Sequence, residues 1–160
     1  MRWLAAGLAA AVAVAAAGCG GGGGSKRLSK DEFIAKADAA CSTFDTAQKQ
    51  ISFPQVDPTS PTTSSADLAK FGDPLAATAD LARQEVKELR ALAPPKDFQS
   101  SYDGVLSDLD AAVSKLDEAS KAAKSGDRAA LSSALEDSQT HADAANKVAV
   151  SYGLKVCGAG

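Results

Sequence analysis

The sequence predicts an all-α protein, an antiparallel four-helix bundle that follows an N-terminal signal segment and a flexible glycine linker. Three observations predict this fold class. Alanine, serine, leucine, aspartate and lysine dominate the 160 residues, whereas aromatic residues make up only 5% of them. Apolar residues recur at steps of three and four, which is the period of an amphipathic helix. The β-branched residues do not cluster as they do in strands.

Residues 1–18 have the pattern of a lipoprotein signal peptide. Arg2 precedes an apolar run, Trp3 to Ala17, which is too short for a comfortable membrane span. The segment AAGC at residues 16–19 then resembles a bacterial lipobox, in which the Cys19 thiol is the nucleophile that takes up a diacylglyceryl group. An ordinary cleaved signal peptide with an incidental cysteine is the alternative, and a retained membrane helix is a further one.

Residues 19–27 are predicted to be a lipidated Cys19 and a flexible linker. Gly20 to Gly24 have no side chains that could join a core. Each buried methylene of an acyl chain contributes roughly 0.8 kcal/mol, so two chains on Cys19 would anchor the protein stably to membrane lipid. We therefore expect residues 28–160 to form a helical domain held at the extracytoplasmic face of the bacterial cell membrane.

The charge of the chain bears on its partners. Removal of residues 1–18 takes away one of 17 basic residues and none of the 20 acidic residues, so the formal net charge changes from −3 to −4. Mild acidity spread along the chain argues against nucleic acid and against a polybasic lipid-binding surface. The expected partners are membrane lipid, through acylated Cys19, and an envelope protein.

The first predicted helix begins with a capping box formed by Ser29 and Glu32, and Leu28 and Phe33 occupy the positions of a hydrophobic staple. Phe53-Pro54 is expected to end this helix. Its apolar face consists of Phe33, Ala37, Cys41, Phe44, Gln48 and Ile51.

Residues 53–65, FPQVDPTSPTTSS, are predicted to form a loop that is long for a bundle connection. We interpret it as a passive connector, and a glycosylated or partner-contacting loop is the alternative.

The second predicted helix is interrupted by Gly72-Asp73-Pro74. Its apolar stripe continues across the interruption, which favours a kink over a break at which Asp73 caps a new helix. Ala93-Pro94-Pro95 then turns the chain. The stripe consists of Leu68, Phe71, Leu75, Ala79, Ala82, Val86, Leu89 and Leu92.

The third and fourth predicted helices are separated by Gly126, which suits a left-handed C-cap, and Asp127, which suits the next N-cap. The fourth helix is expected from Arg128 to Tyr152, with Gly153 ending it. The third helix has the face Phe98, Tyr102, Val105, Leu109, Val113, Leu116 and Ala123.

Cys41 and Cys157 are an even pair once Cys19 is lipidated, and outside the cytoplasm such a pair is most simply a disulfide. Short turns favour antiparallel neighbours, which would bring the tail after the fourth helix close to Cys41. Two free buried thiols are the alternative. The two cysteines and a distant histidine have no metal-ligand spacing, so we expect no metal and no cofactor.

Several motifs occur together: the lipobox, the glycine spacer, a first-helix cysteine, LRALAPP at residues 89–95 and YGLKVCG at residues 152–158. With them the chain resembles the small alanine-rich secreted lipoproteins of high-GC bacteria, chiefly actinobacteria, a largely uncharacterised group. These motifs build turns and helix ends. The resemblance therefore implies a helical lipoprotein and transfers no catalytic residues.

Few residues suggest chemistry. His141 is the single histidine, and we interpret it as a partly exposed surface residue rather than a metal or haem ligand. Asp110 and Asp117 lie seven residues apart, and we interpret them as part of a solvated face rather than an acid–base pair. Tyr102 and Tyr152 could flank a ligand cavity but are more simply core residues with a hydroxyl at the rim. We expect no catalytic residues.

Two functional hypotheses follow. The first is a non-enzymatic interaction or binding module in the cell envelope, which predicts a tight core and an exposed apolar patch. The second is a carrier of a small apolar ligand, which predicts an interhelical cavity beneath Phe44, Phe71 and Tyr102.

Overall fold

The computed structural model describes residues 26–58 and 60–158, which form four long helices and one short helix without any strand. The predicted all-helical bundle is therefore confirmed. The signal segment and Cys19 lie outside the described residues. No helix within 26–58 and 60–158 is both long enough and apolar enough to cross a membrane. The helices are α1 (Lys30–Gln48), α2 (Ser65–Ala69), α3 (Gly72–Arg90), α4 (Gln99–Ser125) and α5 (Arg128–Tyr152).

The start of α1 is the predicted capping box. The Ser29 N–H donates to Glu32 Oε2 at 2.9 Å, and the Glu32 N–H donates to Ser29 Oγ at 3.4 Å. These bonds satisfy two backbone donors that a helix start leaves without partners. Phe33, Ala37 and Cys41 are buried, as their spacing predicts.

The other end of α1 comes earlier than predicted, at Gln48 rather than at Phe53-Pro54. The N–H groups of Gln50 and Ile51 each bond to the carbonyl three residues back, so the chain continues as tight turns. Phe53 precedes Pro54, and the residue before a proline is disfavoured in the helical conformation. Residues 49–53 also lack a glycine that could cap the helix.

The long loop after α1 is packed against the bundle. The Arg128 guanidinium, at the start of α5, donates to the backbone carbonyls of Pro58, Ser60 and Thr63. The Phe53 ring lies 6.4 Å from the Phe71 ring, between centroids. One cation therefore satisfies three loop carbonyls and holds the loop beside the α4–α5 turn.

The interruption at residues 72–74 is a break, so the predicted kink within one helix is wrong. Helix α2 ends at Ala69 and α3 begins at Gly72. The N-cap is Phe71 rather than Asp73, and no side chain caps this helix start. Pro74 lies in the first turn of α3, where its missing N–H costs no helical hydrogen bond. The apolar stripe remains continuous because residues on both sides of the break pack into one cluster.

The junction of α4 and α5 and the end of α5 agree with the prediction. Gly126 has φ 71° and caps α4 in the left-handed conformation, and a Cβ added there would lie 2.7 Å from the Ser65 Cβ. The Asp127 side chain accepts from the Ala130 N–H at 3.0 Å. Helix α5 spans the predicted residues and ends at Gly153, which has φ 111°.

The core has two separate parts. We call the first the aromatic core; it includes Phe33, Phe98 and Tyr102 and receives side chains from α1, α3, α4, α5 and the tail. The second, which we call the alanine core, joins α2 and α3 to the end of α4 and the start of α5, and consists of Leu68, Phe71, Leu75, Ala119, Ala122, Ala123, Leu131 and Ala134.

The tail after α5 lies on α1. The Asp38 carboxylate accepts the backbone N–H groups of Lys155, Val156 and Cys157 at 3.1, 2.9 and 3.3 Å. Cys41 follows Asp38 by three residues and therefore lies on the same face of α1. The Cα atoms of Cys41 and Cys157 are 5.2 Å apart, and the two sulfur atoms lie at disulfide-bonding distance.

Candidate functional site

Within the described residues, a cavity of about 310 Å³ lies in the middle of the bundle. It lies between the aromatic core and the alanine core, at the midpoints of α4 and α5. Four helices and the tail form its walls. The apolar lining consists of Cys41, Phe44, Ala82, Val86, Leu89, Leu109, Ala112, Val113, Leu116, Ala142, Ala145, Val156 and Cys157.

Small side chains explain why this space is not filled. At the midpoint of the bundle the inward positions of α3, α4 and α5 are occupied by Ala82, Ala112, Ala142 and Ala145. A larger side chain at half-buried Ala82 or Ala142 would occupy part of this space. At the alanine core, similar residues instead allow the helices to approach closely.

Two hydroxyl groups in the lining are already satisfied by the protein. Thr78 Oγ1 donates to the Pro74 carbonyl at 3.0 Å, and Ser138 Oγ donates to the Ala112 carbonyl at 3.1 Å. These hydroxyl protons are therefore not available to a ligand, and these two positions present mainly their carbon atoms to the cavity.

The polar character of the cavity comes mainly from two carboxylates. Glu85, on α3, and Asp45, on α1, both line it and are both half-buried. Burial raises the pKa of Glu85 to about 7, and the negative charges of Asp45 and then Glu88 add to this effect. No hydrogen bond or ion pair joins the Glu85 carboxylate to another described residue.

The charge in the cavity is uncompensated. Among the described residues that line it, none is a lysine, arginine or histidine. Exposed Gln48 and Gln139 stand at its mouth, and half-buried Asn146 adds a third amide. The cavity is thus an apolar chamber with two acidic groups and a neutral polar rim.

The burial of Glu85 predicts a pH-dependent stability. Its folded-state pKa of about 7 exceeds the ordinary value of 4.5, so the fold favours the protonated form. The stability due to this protonation is complete below pH 4.5 and is lost as the pH rises through 7. Glu85→Gln, which resembles the protonated acid, should raise the free energy of unfolding by about 2 kcal/mol at pH 8.

The measurement is urea unfolding followed by circular dichroism at pH 8 and at pH 5. The gain in the free energy of unfolding from Glu85→Gln should be much smaller at pH 5, because the Glu85 carboxyl of the folded wild type is protonated there. Glu136→Gln, at an exposed glutamate of α5 outside the cavity lining, is the matched control and should change stability by less than about 0.5 kcal/mol. An equal effect of Glu85→Gln at both pH values would contradict a buried, titrating Glu85.

The structure brings two of the three predicted site residues together. Cys41 and Cys157 lie at bonding distance and form part of the cavity wall. Cys19, the predicted lipidation site, lies outside the described residues. Within the described part of the chain, no group of three or more metal-ligating side chains occurs.

The polar residues considered for chemistry lie outside the cavity. His141 Nδ1 is 3.3 Å from Asp108 Oδ1, at a partly exposed site, which agrees with its interpretation as a surface residue. Asp110 pairs with Arg90 at 2.6 Å, and Asp117 pairs with Arg83. The two aspartates therefore join α4 to α3 through separate ion pairs.

The two tyrosines belong to the aromatic core. Tyr102 is buried, and its hydroxyl donates to the Leu89 carbonyl at 2.7 Å. The Tyr152 ring stacks on Phe98 with 3.5 Å between centroids, and its buried hydroxyl has no hydrogen-bond partner among the described residues. Neither tyrosine lines the cavity. Of Phe44, Phe71 and Tyr102, the residues beneath which a cavity is predicted, only Phe44 lines it.

Glu85 is the residue that sequence reasoning missed. A signal for it exists, because Thr78, Ala82, Glu85 and Leu89 follow one another at steps of four, three and four along α3. All four line the cavity. An acidic residue at such a position in a buried stripe is a candidate functional group.

Comparisons of the chain with protein-family models, with curated proteins and with solved structures found no match.

Proposed function

We propose that this protein is an extracytoplasmic lipoprotein, anchored to the membrane through Cys19, that binds a small and mainly apolar molecule. The observation that carries the proposal is the cavity of about 310 Å³, lined from four helices and the tail. Small-molecule sites are typically concave, mostly apolar and equipped with a few polar groups. Apolar residues make up the larger part of the lining of this cavity, and carboxylate, amide and hydroxyl groups make up the rest.

The size of the cavity sets the size of the ligand. An engineered apolar cavity of about 150 Å³ in another protein encloses one benzene ring. A cavity of about 310 Å³ corresponds to a body of about two fused rings.

The proposal includes an antiparallel arrangement of the helices. Two hydrogen-bonded pairs between α4 and α5, Asp108 with His141 and Ala112 with Ser138, support it. From the first pair to the second, the residue number rises in α4 and falls in α5, as it does between antiparallel helices. The bonding distance between Cys41 and Cys157 supports a disulfide in this arrangement, and such a bond belongs to an oxidising compartment.

The contacts at the start of the domain fit a tether. The Arg27 guanidinium donates to the Pro94 carbonyl at 2.9 Å, and the Leu28 N–H donates to the Ala93 carbonyl at 2.9 Å. The chain is thus fixed to the α3–α4 turn just after the glycine spacer. The cavity lies farther along the bundle, away from this point.

Binding of a small molecule takes precedence over a protein-contact module in this proposal. An interaction surface of the predicted kind needs a contiguous apolar patch. Among the described residues the exposed large apolar side chains are Val56 and Val150, at 42% and 54% exposure. Val56 lies in the loop after α1 and Val150 lies near the end of α5, so these two side chains do not form a contiguous apolar patch.

The proposed role is non-enzymatic. The Ser138 hydroxyl in the cavity wall donates to a backbone carbonyl, and His141 pairs with Asp108 outside the lining. A nucleophile next to a base is the usual arrangement in covalent catalysis. The two carboxylates of the cavity fit a role in recognition.

The test is native mass spectrometry of the protein isolated from its host membrane. We expect a mass for residues 19–160 plus acyl groups and minus two hydrogens, together with a non-covalently bound small molecule. The variant Ala142→Leu narrows the cavity and should lose the small molecule. Ala144→Leu, on the exposed face of the same helix, is the matched control and should retain it.

Four outcomes would contradict the proposal. A small molecule absent from all samples, or equally present in Ala142→Leu, would refute the cavity as its site. A co-purifying protein in place of a small molecule would favour the interaction module. A mass that still includes residues 1–18 would refute the lipid anchor.

A further inference from the structure

We propose that the ligand of the cavity is an amphipathic cation, a compact apolar body that carries a protonated amine. This inference rests on the proposed function and narrows its ligand class. Three features of the cavity support it: the negative charge of its lining, the position of that charge, and the absence of a hydrogen-bond donor to Glu85 among the described residues.

The charge of the lining favours a cation. Asp45 and Glu85 face the cavity, and no lysine, arginine or histidine among the described lining residues balances them. Two carboxylates that share a site repel one another, and Glu85 also loses hydration by burial. A protonated amine bound between them would relieve both costs at once.

The position of the charge favours an amphipathic molecule. Glu85 lies on the same face of α3 as Thr78, Ala82 and Leu89, so its carboxylate borders apolar lining. Leu109, Val113 and Leu116 line the same cavity from α4. A ligand must therefore present apolar surface to most of the chamber and a cationic group at one side.

The hydrogen-bonding state of Glu85 favours a donor. Within the described part of the chain, no group donates a hydrogen bond to its carboxylate. Asp67, by contrast, accepts from Lys70 and Ser64, and Asp127 caps α5. An ammonium group supplies three donors, which suits a cavity whose lining includes two carboxylates.

The test compares two probes of equal shape, 1-naphthylmethylamine and 1-naphthalenemethanol, by isothermal titration calorimetry with the purified full-length protein. The amine is a cation and the alcohol is neutral. We expect the amine to bind about tenfold more tightly at pH 8, because charge-assisted hydrogen bonds are the stronger ones. Glu85→Gln should remove most of this preference, whereas Glu136→Gln, at an exposed glutamate of α5 outside the lining, should leave it.

The pH dependence gives a second readout. The charged groups that face Glu85 are Asp45 from α1 and Glu88 on α3, and the lining from α4, α5 and the tail is uncharged. At pH 5.5 Glu85 is protonated in the free protein, so the affinity for the amine should fall. The affinity for the alcohol should stay constant.

The outcomes separate the two proposals. Equal binding of amine and alcohol would overturn the cationic ligand and leave the cavity as a general apolar site. Binding of neither probe would count against the proposed function itself. A preference that survives Glu85→Gln would overturn the role given to Glu85.

Discussion

Replacement of the cysteine pair by alanine, Cys41→Ala with Cys157→Ala, is expected to lower the free energy of unfolding by about 4–5 kcal/mol. The two cysteines are 116 residues apart in the chain. In the chain-entropy model, a cross-link that closes a loop of about 100 residues contributes about 4.7 kcal/mol, because it restricts the unfolded chain. The loss is a large fraction of the total stability of a typical domain, which is about 5–15 kcal/mol.

The measurement is urea unfolding of wild type and double variant, each with and without reductant. Wild type should lose stability on reduction, and the double variant should be indifferent to it. Asp38→Asn is the matched control for the tail, because it weakens the acceptor of three N–H groups and leaves the cross-link. A wild-type protein whose midpoint does not change on reduction would contradict the disulfide.

Truncation of Phe33 to alanine is expected to cost about 4 kcal/mol. The Phe33 side chain is 0% exposed. Its ring contacts Tyr102 edge to face at 4.9 Å between centroids, and Phe98 and Tyr152 at 5.7 and 6.0 Å. Loss of a buried phenylalanine removes its transfer free energy and leaves a cavity that rigid neighbours cannot close. The edge-to-face contacts add to this cost.

Phe53→Ala is the matched control for Phe33→Ala. Phe53 is a half-buried phenylalanine in the loop after α1, and one ring, that of Phe71, lies close to it. We expect this change to cost less than half as much, as measured by urea unfolding under the same conditions. Equal costs for the two variants would contradict Phe33 as the centre of the aromatic core.

Helix ends with a side-chain cap or a left-handed glycine could be predicted from the sequence. Ser29 with Glu32, Gly126 with Asp127, and Gly153 each act within a few residues, so their effect is local and readable. The end of α1 could not be placed in the same way. Apolar Ile51 continues the helical spacing, and the turns at Gln50 and Ile51 replace a cap.

The cavity could not be predicted because small residues have two possible outcomes. Ala119 and Ala123 let α4 pack closely within the alanine core, whereas Ala112 and Ala142 leave space. The difference depends on where α1 ends and on which residues stand opposite. The burial of Glu85 depends on the same long-range packing, since Asp45 and Phe44 approach it from α1.

The place of the cross-link in the chain has a consequence for damage by proteases. The loop of residues 49–64 lies between Cys41 and Cys157 in the sequence. If the pair is oxidised, a single cleaved peptide bond in this loop leaves two fragments that are still one covalent molecule. The N-terminal fragment would stay joined to the fragment that carries most of the cavity wall. A nicked copy could then reclose around the same contacts instead of separating into two molecules.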